Sequence, residues 1–270
     1  PTGGETGTDG TYVLWYEDSA LAATSGAECA VSLSCGDEVG EYWNQISLIA
    51  TDITTVEDIS HSPGYVCEDS ETLFMVTDDA QDESVFRYDG TYWERVYCST
   101  IAGADETTAF EWVLVSPDFN DTNAVFVANT GFELWRSLDA GCSWKKFTFP
   151  CVTRPTISAW VVIDEDTVIT GGAGDDLVYK TTRHGARPWD EYDLPAVAGD
   201  AKSFDLEPGY EDPCTIILGD DSEQVFISED GGEEWDLVGD CATALGGGDT
   251  SVVFDPAYAT SDIIYAAAGD

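Results

Sequence analysis

Short apolar runs separated by polar, glycine-containing turns dominate this chain, as in TLFMVT from Thr72, AVFVAN from Ala124, TIILGD from Thr215 and DIIYAAAG from Asp262. Val, Ile, Thr and aromatic residues crowd these runs, and methionine occurs once. That mixture fits short strands better than helices. Aligned on tryptophan, the chain repeats: Trp43, Trp93, Trp144, Trp189 and Trp235 stand 50, 51, 45 and 46 residues apart. A second marker, proline followed two residues later by an aromatic, recurs as SPGY at 62, SPDF at 116, EPGY at 207 and DPAY at 255. An apolar strand follows each marker. Next come a strand with an apolar-aromatic pair (SVFRYDG, ELWRSLDAG, LVYKTTRHG, QVFISEDGG) and a strand opened by the repeat tryptophan. An inner strand such as FEWVLV or TSVVF then precedes the next marker. The unit around Trp189 replaces the proline marker with VIDEDTVITGG, a shorter turn.

Each period therefore reads as four short antiparallel strands, the blade of a β-propeller, and the fold class is all-β. The C-terminal segment TSVVFDPAYATSDIIYAAAGD offers strands one and two of a unit. The N-terminal TYVLWYEDSA, leading to EYWNQISLI, offers strands three and four. Joined, they complete one blade around Trp43 and give five blades in all, with no exposed strand edge left over. The alternative is a fragment of a propeller of six to eight blades. Residues 1–10 read as a terminal linker and 11–270 as a single propeller domain.

Within the turn before the fourth strand, Ser137, Asp139, Gly141 and Trp144 return as Ser228, Asp230, Gly232 and Trp235. Glycine takes positive φ, the carboxylate accepts backbone N–H groups, the hydroxyl closes the loop and the tryptophan packs between neighbouring sheets. A set of residues repeated along a chain serves architecture, because chemistry needs its groups only once. The Trp93 and Trp189 units keep parts of the pattern, YDGTYW and TTRHGARPW. On these residues the chain resembles the Asp-box (BNR-like, sortilin-like) propeller families, whose signature Ser-x-Asp-x-Gly-x-x-Trp is complete at Ser137 to Trp144 and Ser228 to Trp235. The resemblance implies the propeller fold. The families include sialidases, xyloglucan-active glycosidases, sortilin-type receptors, photosystem assembly factors and large microbial surface proteins. Sialidase-like catalysis would call for three arginines converging on a carboxylate. Here Arg87 and Arg136 share one repeat position and read as structural, and Arg95, Arg154, Arg183 and Arg187 form no convincing triad.

Charge changes the picture most. The 270 residues carry 53 acidic and 10 basic side chains, a formal net charge of −43. Such a surface repels nucleic acid and anionic lipid, and its self-repulsion is relieved by salt, multivalent cations or acid. It reads as a solvated acidic coat. Calcium is the sharper alternative, at the loops holding Asp78 and Asp79, Asp175 and Asp176, and Asp220 and Asp221, where hard oxygen donors gather without matching an EF-hand or nonapeptide repeat. Acids are too abundant to mark a glycosidase pair by sequence, and His61 and His184 are single. The basic cluster from Arg183 to Arg187 stands out and suits docking onto an acidic patch of a neighbouring copy or a plain turn.

Eight cysteines, Cys29, Cys35, Cys67, Cys98, Cys142, Cys151, Cys214 and Cys241, contain no CxxC pair. They read as disulfides of an oxidising, extracellular compartment, with Cys29 and Cys35 the good local pair. Asn120 heads a glycosylation sequon. No apolar run reaches the roughly 20 residues of a membrane helix. PTGGETGTDG lacks the features of a signal peptide, so any export signal is expected to be removed or to lie outside this sequence.

The expected function is a non-enzymatic extracellular or cell-surface scaffold, a subunit or domain of a microbial surface layer, sheath or filament. Its partners would be further copies of itself or other surface proteins. The alternatives are a secreted carbohydrate- or protein-binding module, with Trp15, Trp112 and Trp160 as candidate sugar platforms, and a glycoside hydrolase.

Overall fold

The computed structural model describes residues 13–16, 19–22, 53–65, 71–78, 83–98, 110–129, 133–148, 157–174, 176–184, 186, 188–195, 198–209, 213–239 and 248–269. The chain is all-β and propeller-like, built from four-stranded antiparallel sheets, each a run of sequential hairpins. It divides into two compact units, Pro1–Asn129 with Leu134–Lys146, and Thr130–Glu133 with Phe147–Asp270.

The first unit opens with a strand pair, β1 (Val13–Tyr16) and β2 (Ser19–Ala22), in register from Val13↔Ala22 to Tyr16↔Ser19. A blade follows, of β3 (Thr55–His61), β4 (Leu73–Asp78), β5 (Glu83–Tyr88) and β6 (Trp93–Cys98). The next comprises β7 (Phe110–Val115), β8 (Val125–Asn129), β9 (Glu133–Ser137) and β10 (Lys145–Thr148). A helical turn α1 (Phe119–Thr122) joins β7 to β8. The unit boundary cuts through this second blade.

The second unit holds the blade of β11 (Ile157–Val162), β12 (Val168–Gly172), β13 (Leu177–Thr181) and β14 (Asp190–Asp193). A further blade contains β15 (Ala201–Leu206), β16 (Ile216–Asp220), β17 (Val225–Ser228) and β18 (Asp236–Leu237). The last sheet has two strands, β19 (Asp249–Phe254) and β20 (Ile264–Gly269), linked through α2 (Tyr258–Ser261).

Second strands show why the sequence reads as continuous apolar runs rather than alternation. Every residue of β8, β12 and β16 is buried, as expected of strands covered on both faces. Neighbouring blades approach closely enough to demand glycine there. A Cβ on Gly171 would lie 2.3 Å from the Cβ of Ala201, and one on Gly219 would lie 2.4 Å from the Thr250 carbonyl oxygen. The first unit buries Phe74, Val76, Phe110, Val113, Val127 and Trp135 in one cluster. In the second, Ile169, Val178, Ile216, Leu218, Phe226 and Trp235 form the main core.

The first strand of each four-stranded blade carries a register shift near its start, between Val56/Asp58, Phe110/Trp112, Ile157/Ala159 and Ala201/Ser203. The extra residues are Glu57, Glu111, Ser158 and Lys202. A bulge re-aims the side chain it carries, so all four blades aim one residue by the same device.

Beside the bulges, polar side chains tie one first strand to the next. Asp58 Oδ2 accepts Val113 N–H at 3.0 Å and Ser60 Oγ accepts Val115 N–H at 3.1 Å. In the second unit Ser203 Oγ accepts Val252 N–H at 3.0 Å and donates to Thr250 O at 2.8 Å, while Asp205 Oδ2 accepts Phe254 N–H at 2.7 Å. Burial raises the pKa of Asp58 and Asp205 above the usual carboxylate range, although these amide hydrogen bonds pull against it. Ser203→Ala removes both of its bonds at once and is expected to cost about 1–3 kcal/mol, read as a lower urea midpoint with an unchanged slope.

The segments expected to join into one composite blade each hold a described strand pair. β1 and β2 pair with each other, and β19 and β20 do the same. The segment around Trp43, expected to supply the fourth strand, lies outside the described residues.

Candidate functional site

The two complete Ser-x-Asp-x-Gly-x-x-Trp turns are the most repeated polar constellation, and their geometry shows what the groups do. In the first, Ser137 Oγ donates to Asp139 Oδ1 at 2.7 Å and accepts Gly141 N–H at 2.8 Å. Asp139 accepts Ser143 N–H and Ser143 Oγ–H, each at 2.7 Å. In the second, Ser228 Oγ donates to Asp230 Oδ1 at 2.8 Å and accepts Gly232 N–H at 2.8 Å. Asp230 accepts the N–H groups of Glu233 at 2.9 Å and Glu234 at 3.0 Å. Gly141 and Gly232 have φ of +90° and +93°. Burial alone would raise both carboxyls, but the hydrogen bonds outweigh it, and Asp139 and Asp230 titrate below the usual range. A carboxylate held ionised by backbone donors is a poor general acid at neutral pH. The turns therefore close hairpins and leave no group poised for proton transfer.

The same turns also clamp one blade to the next. Arg87 on β5 donates to the carbonyl of Ala140, in the first turn, at 2.9 Å while pairing with Glu94 at 2.7 Å. Lys180 on β13, at the corresponding place, pairs with Glu233 of the second turn at 3.0 Å. Trp144 meets Tyr97 of the preceding blade edge-on at 6.1 Å, whereas Trp235 meets Phe204 of its own blade at 6.1 Å. Trp93 is half-buried and Trp189 is buried. In the partial Trp93 turn, Asp89 Oδ1 still accepts Thr91 and Tyr92 N–H at 2.9 and 3.1 Å. Around Trp189, Thr181 Oγ1 donates to Ala186 O at 2.9 Å and His184 contacts Asp166.

Of the calcium candidates, Asp220 is fully buried, and both of its oxygens receive backbone amides. Gln224 and Ser222 donate to Oδ1 at 2.7 and 2.9 Å, and Gly199 to Oδ2 at 2.7 Å. Asp221 Oδ1 accepts Asp200 N–H at 3.1 Å. That arrangement locks a loop and does not fit a resident cation. Asp78 ends β4 and Asp176 precedes β13, apart from one another in sequence and in separate blades. Asp79 and Asp175 lie outside the described residues. Among the described residues no three His, Cys, Asp or Glu side chains gather to hold a metal ion.

Cys98 and Cys142 are disulfide-bonded. Cys214 corrects the expectation of a disulfide at that position: it is a thiol, 3% exposed, packed into the apolar core of the second unit. Cys29, Cys35, Cys67, Cys151 and Cys241 lie outside the described residues, so the Cys29–Cys35 pairing does too. Asn120 is exposed on α1, its side-chain amide donating to Pro63 O at 3.3 Å. Trp160 is buried, which removes it as a sugar platform, while Trp112 is half-buried.

The bulge residues are the groups that the sequence pattern did not single out. Glu111 has its carboxyl pKa raised by burial and by the charge of Glu57, its counterpart in the preceding blade. In the second unit Lys202 faces Asp249 at 3.6 Å. A polar residue one position before the alternation of each first strand was the available signal, though it reads as ordinary solvent-facing polarity until the shared bulge is seen.

No family model matches the chain, and no curated protein matches it. Solved structures do resemble it. The structure described as YCF48 bound to D1 peptide has a TM-score of 0.54 at 9% identity, over 98% of this chain and 71% of that one. The GH74 enzyme of Niastella koreensis gives 0.55 at 15% identity, over 92% and 38%. The GH74 xyloglucanase of Xanthomonas campestris gives 0.53 at 18%, over 96% and 34%. The chain thus spans about a third of the length of those GH74 enzymes, and at these identities the likeness establishes the β-propeller fold.

Proposed function

We propose that this chain is a non-enzymatic extracellular scaffold, the repeating subunit or a domain of a microbial surface layer, sheath or filament. The observation carrying this reading is that the repeated hydroxyls and carboxylates are closed onto the chain's own backbone. What the sequence repeats is a way of stacking blades. Disulfides at Cys98 and Cys142 support an oxidising location outside the cytoplasm. A formal charge of −43 supports assembly that depends on salt or on divalent cations bridging acidic surfaces between copies, with calcium the proposed ion. Other surface proteins are the further class of partner.

The competing enzymatic reading has one specific candidate, the Glu57 and Glu111 carboxyls, since GH74 enzymes share the fold. Incubated with xyloglucan or with sialosides, the protein is expected to release no reducing ends or sialic acid above the blank. Turnover that disappears in Glu111→Gln would overturn the scaffold reading. A binding-module reading draws on the peptide-bound YCF48 structure. Saturable binding of a polysaccharide or peptide by calorimetry, without self-association at any concentration, would put that reading first.

A further inference from the structure

The turn that leads to Trp189 keeps the backbone plan of the two Ser-x-Asp-x-Gly-x-x-Trp turns while reversing the charge at its tip. Arg183 N–H donates to Thr181 Oγ1 at 3.1 Å, as Asp139 N–H donates to Ser137 Oγ at 3.2 Å. Arg183 therefore stands where the complete turns have Asp139 and Asp230. Those carboxylates accept the N–H of the residue before the tryptophan, Ser143 at 2.7 Å and Glu234 at 3.0 Å. Here that residue is Pro188, which has no N–H to give. With the donor gone, the turn does not require an acid at position 183, and nothing in its hydrogen bonding requires a cation there either.

The tip is nonetheless braced. Thr181 Oγ1 donates to Ala186 O at 2.9 Å, Ala186 N–H donates to Arg183 O at 2.9 Å, and His184 N–H donates to Asp166 O at 2.7 Å. Arg183 is exposed on this frame and forms no ion pair with a described residue. By contrast, Arg87, Lys180 and Lys202 each face a carboxylate, and Arg95 and Arg136 are buried. On a chain with 53 acidic side chains, an exposed guanidinium without a carboxylate, carried on a fixed turn, is a preformed contact for an anionic partner.

The same chain carries the matching surface. The turn from Ser228 to Trp235 exposes Glu229, Glu233 and Glu234. Lys180 engages Glu233 at 3.0 Å, whereas the Glu229 and Glu234 carboxylates make no ion pair with a described residue. We infer that Arg183 of one copy docks onto this acidic turn of a second copy, pairing with the Glu229 and Glu234 carboxylates there. Charge complementarity selects the occupant. Copies that repel one another over distance through a net charge of −43 attract where a cationic tip meets an acidic turn. The contact is heterologous, each copy offering one tip and one turn, so it propagates unless the rotation closes a ring. The inference rests on the self-association reading above and names a contact that orients it.

Sedimentation velocity with calcium at about 0.15 M ionic strength, where the screening length is about 8 Å, damps the long-range repulsion and leaves close pairs in force. The full chain is expected to gain mass with concentration. Arg183→Glu, and separately the double variant Glu229→Arg with Glu234→Arg, set like charges against each other and sediment as monomers. A 1:1 mixture of these two variants restores opposite charges at every contact and recovers assembly. The double variant lowers the net negative charge, so general electrostatics alone would make it associate more. Arg183→Asp, the residue of the complete turns at this position, is a second tip variant, and far-UV circular dichroism confirms folding in each. Oligomers that persist in all the variants, or a mixture that stays monomeric, would overturn the Arg183 contact while leaving self-association standing. A parent chain that is monomeric at every concentration would overturn both. If that monomer binds polygalacturonate and Arg183→Asp does not, the tip serves an acidic polymer in place of a second copy.

Discussion

Gly232→Ala is expected to destabilise the protein by about 2–5 kcal/mol, the sum of a left-handed backbone for a residue with a side chain and the overpacking of a filled core. Gly232 has φ of +93°, and a Cβ there would sit 2.5 Å from Ile169 Cδ1. Ile169 is fully buried, so its end has no open space to swing into. At roughly 2–4 °C per kcal/mol for a chain of this class, the melting temperature falls by roughly 4–20 °C. Gly141→Ala meets Val96 Cγ2 at 2.9 Å at φ +90° and behaves similarly. Gly174→Ala is the control. Its φ is +86° but nothing lies within 4 Å of its added Cβ, so only the backbone cost of about 1–2 kcal/mol remains. Equal losses at Gly174 and Gly232 would contradict the claim that the turn is pressed against the preceding blade.

Ser228→Ala carries the second large effect. Ser228 is 1% exposed, and its hydroxyl is shared between Asp230 and Gly232 N–H. Its loss leaves a buried amide without its acceptor, at a cost of about 1–3 kcal/mol. Asp230→Ala removes a more exposed partner and costs less. The double variant costs less than the sum, because both act on one network. The pH dependence has a definite sign. Asp139 and Asp230 are held below their unfolded pKa, so their contribution is full above about pH 4 and is lost as pH falls through the folded values. The gap in urea midpoint between the parent chain and Asp230→Ala should therefore close on acidification. Asp58 and Asp205 act the opposite way. Raised in the fold, they cost stability progressively as pH climbs from their unfolded to their folded values, and in full above these. A gap that widens in acid would show that the turn carboxylates are not held by their amides.

The parts of this fold legible in sequence are those whose signals are local. A turn of Ser, Asp, Gly and Trp lies within eight residues, so its hydrogen bonds and its glycine follow from the letters alone. The same holds for Ser116 to Asn123, where serine, proline and an aromatic residue set the corner before β8. The ties between first strands were not legible. Asp58 reaches Val113 across 55 residues and Asp205 reaches Phe254 across 49. Each sits in a strand where a polar residue reads as the solvent-facing half of an alternation. The bulges at Glu57, Glu111, Ser158 and Lys202 were hidden for a related reason, since an inserted residue shows only against a known partner strand. Cys214 was misread because an even number of cysteines suggests pairing, whereas its place at the entry to β16 makes it a small apolar core residue. The acidic loop at Asp220 looked like a cation site because a carboxylate that caps amides and one that binds an ion are identical as letters.

Electron microscopy of the full chain, first with calcium and then with a chelator at matched ionic strength, tests the scaffold claim most directly. The account predicts ordered sheets or filaments with calcium that disperse on chelation; monodisperse single particles under both conditions would contradict it.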